Sequence, residues 1–177
     1  MNFCSQNNYF GTMQIEKHVR ISSGELVTLI APPDFALELI LDYLDNFNSM
    51  LYVSGNFSLI LPKFSRFRLN FDVRRAFTAY QLLQILEEAE QDMLFIEHDE
   101  FEEQGLSEAL FLGMREIARN GAIIIVYSPR MSRFMDFIAR NADRFIIARK
   151  VNGGFVIWDS GTESFISEKR TLGEFYG

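Results

Sequence analysis

The sequence predicts an α/β domain with a mostly parallel central sheet, helices on both of its faces, and a C-terminal antiparallel β-hairpin at one edge. Three observations predict this fold class. Short apolar runs alternate with amphipathic helical patterns along the chain. The apolar runs are continuous, as in strands that are buried on both faces. Near the C-terminus, Asn152-Gly153-Gly154 separates two strand-like segments and predicts a glycine turn.

Composition is that of an ordinary globular protein. The 177 residues fit a single domain over 1–177, with 48% hydrophobic and 23% charged residues. The single cysteine, Cys4, excludes an internal disulfide, and one Cys with two His excludes a zinc site of the usual spacing. We therefore expect no metal centre and a reducing, cytoplasmic setting.

The N-terminal segment shows no export or membrane signal. Met1–Thr12 is polar and lacks the apolar stretch of a signal peptide. No apolar run approaches the ~18 residues of a membrane helix, so we expect no membrane partner. Residues 1–21 are predicted to be a mobile segment or a strand exchanged with a neighbouring molecule. The net charge of −7 argues against general nucleic-acid binding.

The first third of the chain contains the clearest strand–helix pair. Ile15–Ile21 alternates loosely and predicts a strand, and Leu26–Ala31 is a continuous apolar run that predicts a buried strand. Asp34–Phe47 has one apolar stripe with acidic residues off it, which predicts an amphipathic helix. Met50–Ser54 predicts a second buried strand, and Asn56–Arg68 is irregular.

The middle of the chain predicts two further helices around a third buried strand. Arg74–Ala89 has the apolar spacing of a helix, and Met93–Ile96 is a short buried strand. Leu106–Arg119 predicts a helix that ends at Asn120-Gly121, a common C-terminal stop.

The last third predicts one strand, one helix and the hairpin. Ala122–Tyr127 is the most apolar run of the chain. Ser128-Pro129 then offers an N-cap and a first-turn proline for a helix whose stripe ends at Ile138. Arg144–Arg149 and Phe155–Trp158 are the two strands on either side of the glycine turn.

Four short segments, in this order along the chain, carry a resemblance. They are Gly24–Pro33, Leu51–Ser54, Met93–Glu97, and Ala142–Ile147 with the hairpin and Gly161-Thr162 behind it. Together they resemble the RecA/KaiC branch of P-loop ATPases over about Ser23–Thr162. The resemblance implies a RecA-like P-loop fold with a nucleotide site after the first of these segments, and assembly into rings or filaments.

The first segment lacks the residues of a phosphate-binding loop. Such a loop needs glycines whose N–H groups converge on phosphate, a Lys for the β/γ-phosphates, and a Ser/Thr for Mg²⁺. When the segment is matched to such a loop without gaps, Leu37 takes the position of the lysine and Glu38 that of the Ser/Thr. The positions of the glycines are taken by Ala31, Asp34 and Ala36. The degenerate loop comprises Ala31, Pro32, Pro33, Asp34, Phe35, Ala36, Leu37 and Glu38. We expect it to bind no nucleotide, either because two carboxylates repel a triphosphate or because Asp34 caps its own helix.

The other segments depart from the family in the same direction. Gly55 and the residues after it offer no general base where the family has catalytic glutamates. Trp158 and Ser160 occupy the places of a Lys-x-Arg pair that reaches a neighbour's nucleotide. Glu97 stands at the Walker B carboxylate, and with Asp99 it forms either a weak cation site or part of a solvated acidic loop. We expect no catalytic residue, no cofactor and no ATP hydrolysis.

A basic segment offers a different kind of site. In the segment Lys63 to Arg68, aromatic residues are interleaved with positively charged ones. This pattern can bind nucleic acid, or it can form an edge segment whose Phe side chains point inward. The candidate patch comprises Lys63, Arg66, Arg68, Arg74 and Arg75.

The sequence thus predicts a pseudo-ATPase that serves as a protein-binding or assembly module. Ten acidic residues without Lys or Arg between Glu87 and Glu108, opposed by basic stretches, favour self-association or a protein partner. One alternative is a divergent ATP-binding protein or ATPase in which Glu97 or Asp99 binds Mg²⁺ and Arg130, Arg133 or Arg149 replaces the lysine. Another is a DNA recombination or repair accessory factor that uses the basic patch.

Overall fold

The computed structural model describes residues 12–15, 19–46, 49–64, 71–98, 105–152 and 154–160. The strands are β1 Thr12–Ile15, β2 Val19–Ser22, β3 Leu26–Ile30, β4 Met50–Ser54, β5 Asp72–Arg75, β6 Met93–Glu97, β7 Ile123–Ser128, β8 Arg144–Val151 and β9 Gly154–Asp159. The helices are α1 Pro33–Asn46, α2 Leu61–Phe64, α3 Ala79–Glu87, α4 Ser107–Arg119 and α5 Arg133–Asn141. None of these helices combines the length and apolar character that crossing a bilayer requires.

A seven-stranded sheet organises the domain, in the order β5-β4-β6-β7-β3-β8-β9. Every neighbouring pair is parallel except β8 and β9, which form the antiparallel C-terminal hairpin. The predicted fold class is therefore confirmed. The central strands β4, β6 and β7 are buried along their whole length, as their continuous apolar sequences predict.

Helices cover both faces of this sheet and create two cores. On one face, which we call the α1 face, α1 packs with Phe64 of α2 over residues such as Leu29, Phe95 and Ile125. The opposite face is covered by α3, α4 and α5, which bury the alternate strand residues. Because parallel strands end at a common edge, the loops after β3, β4 and β6 lie together at their carboxyl ends.

Several predicted element boundaries are wrong. Residues 74 and 75 lie in β5, and α3 begins only at Ala79, because Thr78 caps it by accepting a hydrogen bond from Gln81 N–H. Likewise α5 begins at Arg133 with Ser132 as its cap, while Ser128 ends β7. The stop at Gly121 is confirmed, since this glycine follows α4 with φ of 106°.

The N-terminal part forms a hairpin where one strand was predicted. Strands β1 and β2 pair antiparallel as a separate two-stranded sheet. Arg144 connects β2 to the large sheet, since its guanidinium donates to the carbonyl of Arg20 and forms ion pairs with Glu25 and Asp159. Both side chains of the Arg144–Asp159 pair are buried, so a buried ion pair joins the start of β8 to the end of β9.

Candidate functional site

The degenerate loop, Ala31 to Glu38, runs from the carboxyl end of β3 into the first turns of α1. Ala31 N–H donates to the Ser128 carbonyl of the neighbouring β7 at 3.3 Å, which fixes the loop to the sheet. α1 then begins at Pro33, where the missing N–H costs nothing. Phe35 and Ala36 point into the core, so two of the loop positions serve packing. The loop therefore starts its helix where a phosphate loop would, with apolar side chains turned inward.

Asp34 is held by two lysines from distant parts of the chain. One carboxylate oxygen accepts a hydrogen bond from Lys63 of α2, and the other accepts from Lys150 of β8 at 3.2 Å. The hydrogen bonds from Lys63 and then Lys150 lower the pKa of Asp34, so it stays ionised. Asp34 lies inside α1, which begins at Pro33, so it is not the cap that one expectation made it. Its negative charge is instead paired with two cations.

Glu97 is buried at the carboxyl end of β6, and its side chain is surrounded by donors. Its carboxylate accepts from Tyr52 Oη at 2.5 Å, from Leu59 N–H at 2.8 Å, and from Ser58 Oγ. Only 3% of Glu97 is exposed. Burial, and then the nearby Glu97 charge, raises the pKa of Tyr52 far above its usual range, so this phenol remains a donor.

The segment Ser58–Lys63, which we call the clasp, joins these two acidic residues. Its first part binds Glu97, and its last residue binds Asp34. Ile60, between them, is fully buried in the core of the α1 face. Ser58 Oγ also accepts from Leu61 N–H at 2.8 Å and so starts the short α2. The clasp therefore closes the carboxyl edge of the sheet through both charge and packing.

Two buried hydroxyl groups beside Glu97 complete the site. In the described residues, Ser54 Oγ and Tyr127 Oη have no hydrogen-bond partner, although both side chains are buried. Both residues lie in register with Glu97, one on each neighbouring strand. Burial, then the charges of Glu97 and Asp34, raises the pKa of Tyr127. Sequence reasoning missed these hydroxyls because they sit within apolar runs, where only their position at strand ends sets them apart.

The Glu97 carboxylate is engaged by donors of its own chain. A carboxylate that helps hold hydrated Mg²⁺ must keep lone pairs free for the metal's waters. The Glu97 carboxylate already receives three donors from its own chain. Across the described residues there is no group of three or more His, Cys, Asp or Glu side chains placed to hold a metal ion.

The remaining predicted residues lie in separate places. Asp99, Arg66 and Arg68 lie outside the described residues, so the cation site and the basic patch stay predictions. Arg74 forms an ion pair with Glu88 at 2.6 Å, on the exposed strand β5 that also carries Arg75. Lys63, the remaining member of the patch, pairs with Asp34 instead, at the start of α1.

The arginines proposed to replace the lysine of a phosphate loop are all exposed. They are Arg130 before α5, Arg133 in α5 and Arg149 in β8. The cations that contact Asp34 are Lys63 and Lys150, which lie far from it in sequence.

Comparison with known proteins identifies the fold of this chain. No protein-family model matches the chain. A protein of Archaeoglobus fulgidus, described as uncharacterized, is 39% identical over 128 residues, which are 68% of this chain and 65% of that protein. The chain thus spans slightly less than two thirds of that relative. The crystal structure of a KaiC-like protein from Pyrococcus horikoshii OT3 matches with a TM-score of 0.53 and 14% identity, covering 82% of this chain and 83% of the other. The chain has a RecA/KaiC-like fold.

Proposed function

We propose that this protein is a non-catalytic KaiC-like domain that serves as a binding or assembly module and has lost ATP hydrolysis. The observation that carries the proposal is the clasp. One short segment of the chain binds both Glu97 and Asp34, at the two positions where a P-loop ATPase would handle Mg²⁺ and phosphate. The fold likeness supports the framework, and the side chains support the loss of chemistry.

The contacts of the degenerate loop and of Glu97 both support the loss of ATP hydrolysis. Phosphoryl transfer depends on positioning and on electrostatic stabilisation by a phosphate cradle, a metal and a water-activating group. The degenerate loop has Leu37 in place of the lysine, and its Asp34 carboxylate uses the lysines that lie nearby. Binding a triphosphate would require breaking those ion pairs and moving the clasp. Binding Mg²⁺ at Glu97 would strip a buried carboxylate of its donors.

The proposal is tested by titrating ATP with Mg²⁺ into the protein in a calorimeter and measuring phosphate release from the same sample. We expect no saturable heat up to millimolar ATP and no release above the buffer rate. Micromolar binding together with steady turnover would refute the proposal. Light scattering in the presence and absence of ATP, run alongside, shows whether any self-association depends on nucleotide.

A second candidate, a divergent nucleotide-binding protein, is favoured by one observation. Lys63 and Lys150 converge at the first turn of α1, where helix N–H groups also attract anions. On this view Asp34 competes with phosphate for the lysines. Asp34→Asn would then produce ATP binding, and adding Lys150→Ala would remove it. Asp42→Asn, which makes the same change about two turns further along α1 and outside the degenerate loop, is the matched control.

The non-catalytic proposal predicts that Asp34→Asn still hydrolyses no ATP, because Glu97 remains bound by its three donors. Tight binding by the wild-type protein would favour the second candidate. Absence of binding in both proteins would remove it.

A further inference from the structure

In the described part of the chain, strand β5 is an open edge of the large sheet. Its residues are all exposed, and Val73 is 47% exposed, although valine is usually buried in sheets. Among the described residues, β4 is the only strand that pairs with it. An open edge presents unpaired backbone N–H and C=O groups that can bind another strand.

The hydrogen bonds to β4 determine which backbone groups of β5 point outward. Ala76 N–H donates to the Ser54 carbonyl at 2.9 Å, so this N–H points toward β4. A trans peptide unit directs the preceding carbonyl, that of Arg75, the opposite way. Because backbone direction alternates along a strand, Val73 and Arg75 present both their N–H and C=O groups to the open edge.

A second copy of β5 fits this edge in one register. Two antiparallel strands related by a two-fold axis perpendicular to the sheet pair residues on the same face, so odd residues oppose odd ones. With Val73 opposite Val73 of the second copy, the two valines exchange reciprocal backbone bonds. Asp72 then lies opposite Arg74 of the other copy at both ends of the contact. Shifting the pairing by two residues in either direction places Asp72 opposite Asp72, or Arg74 opposite Arg74.

The local contacts hold these charges on one face of the sheet edge. Gln91 Nε2 donates to Asp72 at 3.1 Å, and Arg74 pairs with Glu88 at 2.6 Å. Glu88 and Gln91 both belong to the turn after α3, so both contacts lie on the same side of β5. Asp72 and Arg74 lie on one face, and Val73 and Arg75 lie on the other. The opposite charges of Asp72 and Arg74 make the first of these faces self-complementary.

We infer that β5 pairs with β5 of a second copy of this chain, joining two seven-stranded sheets into one continuous sheet across a two-fold axis. The inference rests on the proposed function, because it names the assembly surface of that module. The contact is isologous, so it closes at a dimer.

The backbone test uses proline on the open edge. Val73→Pro removes the outward N–H while leaving the groups that bind β4, a substitution that edge strands tolerate. Val73→Thr keeps the N–H and is the matched control. Sedimentation velocity across a range of concentrations is expected to show a dimer for wild type and Val73→Thr, and a monomer for Val73→Pro. Thermal unfolding of each variant checks that it is folded.

The register test uses charge reversal and mixing. Asp72→Arg and Arg74→Asp should each be monomeric, because each places like charges opposite one another in its own dimer. Mixed in equal amounts, they should form a heterodimer, since both cross-strand pairs then have opposite charges. This readout depends on the pairing of positions 72 and 74 and does not rely on the proline variant folding.

Three results would overturn the inference: a monomeric wild type at the highest concentration, a dimer that Val73→Pro leaves intact, or charge variants that fail to associate when mixed. None of these bears on nucleotide binding. Conversely, ATP turnover would refute the proposed function and leave the strand pairing standing. The two failures are therefore distinguishable.

Discussion

Replacing Glu97 by glutamine tests whether the Glu97 carboxylate has a structural role or serves as a metal ligand. The side chain is buried and accepts hydrogen bonds from Tyr52, Ser58 and Leu59. Glutamine has a similar shape but offers one acceptor oxygen and one NH₂ group. Because the hydroxyl groups of Tyr52 and Ser58 can rotate to accept from that NH₂, the substitution weakens the network without creating a cavity.

The size of the effect follows from these three bonds. A hydrogen bond to a charged group contributes about 1.5–3 kcal/mol and a neutral one about 0.5–1.5 kcal/mol, so each bond weakens by about 1 kcal/mol. Because glutamine is neutral, the free-energy cost of burying the Glu97 charge disappears, and this offsets part of the weakened hydrogen bonding. We expect Glu97→Gln to lower the free energy of unfolding by about 1–3 kcal/mol.

Urea unfolding followed by tryptophan fluorescence measures this change, because Trp158 is the single tryptophan of the chain and packs against Phe145 in the C-terminal hairpin. Glu87→Gln, at an exposed position of α3, removes the same charge and should change stability by less than about 0.5 kcal/mol. Tyr52→Phe alone should cost about 1–2 kcal/mol, and Glu97→Gln should cost less in that background, because the two substitutions remove a shared bond.

The result that refutes this reasoning is specific. If Glu97→Gln leaves stability unchanged without nucleotide, and only abolishes stabilisation by ATP with Mg²⁺, then the carboxylate serves as a metal ligand. Additive effects of Tyr52→Phe and Glu97→Gln would contradict the hydrogen bond between them. The structural account predicts the same loss with and without nucleotide.

Other parts of the chain give three further predictions. Arg144→Ala should cost about 3–5 kcal/mol in urea unfolding, because it breaks the buried ion pair with Asp159 and the contacts with Glu25 and the Arg20 carbonyl, and a loss below about 1 kcal/mol would contradict this. Burial raises the pKa of Asp143, but hydrogen bonds from Arg115 and Leu26 N–H outweigh it and lower the pKa. This carboxyl therefore adds stability above the unfolded pKa near ~4 and loses it as the pH falls toward its lower folded pKa. Asp143→Asn should make the acid loss of stability shallower, and an unchanged pH profile would contradict this. Gly121→Ala should cost about 1–2 kcal/mol in thermal unfolding because φ is 106°, whereas an unchanged midpoint would argue against that conformation.

The fold could be predicted largely from the apolar runs of the sequence. The errors of that prediction have physical causes. The buried strands β3, β4, β6 and β7 were found because strands covered on both faces must be apolar throughout. Strand β5 was missed because an edge strand is exposed and charged, so its sequence resembles a helix surface. The start of α5 was misplaced because Ser128 and Ser132 are both plausible caps, and the extent of β7 decides between them.

The site could be located from the sequence, but its contacts could not. The order of the apolar segments placed Asp34 and Glu97 at the carboxyl edge of the sheet. Their partners come from loops and from the hairpin, as in the Lys150–Asp34 pair, which joins residues 116 positions apart. Nothing local in the sequence near Asp34 specifies Lys63 or Lys150 as partners. Consequently two carboxylates were predicted at the turn, but the two lysines that pair with Asp34 were not.

A crystal structure determined after soaking with a nonhydrolysable triphosphate analogue and Mg²⁺ shows whether the start of α1 can still bind a nucleotide. The account predicts that Lys63 and Lys150 remain bound to Asp34, that Ser58 and Leu59 remain on Glu97, and that no triphosphate density lies at the start of α1. Clear density wrapped by Pro32–Glu38, with the lysines turned from Asp34 toward the phosphates, would contradict it.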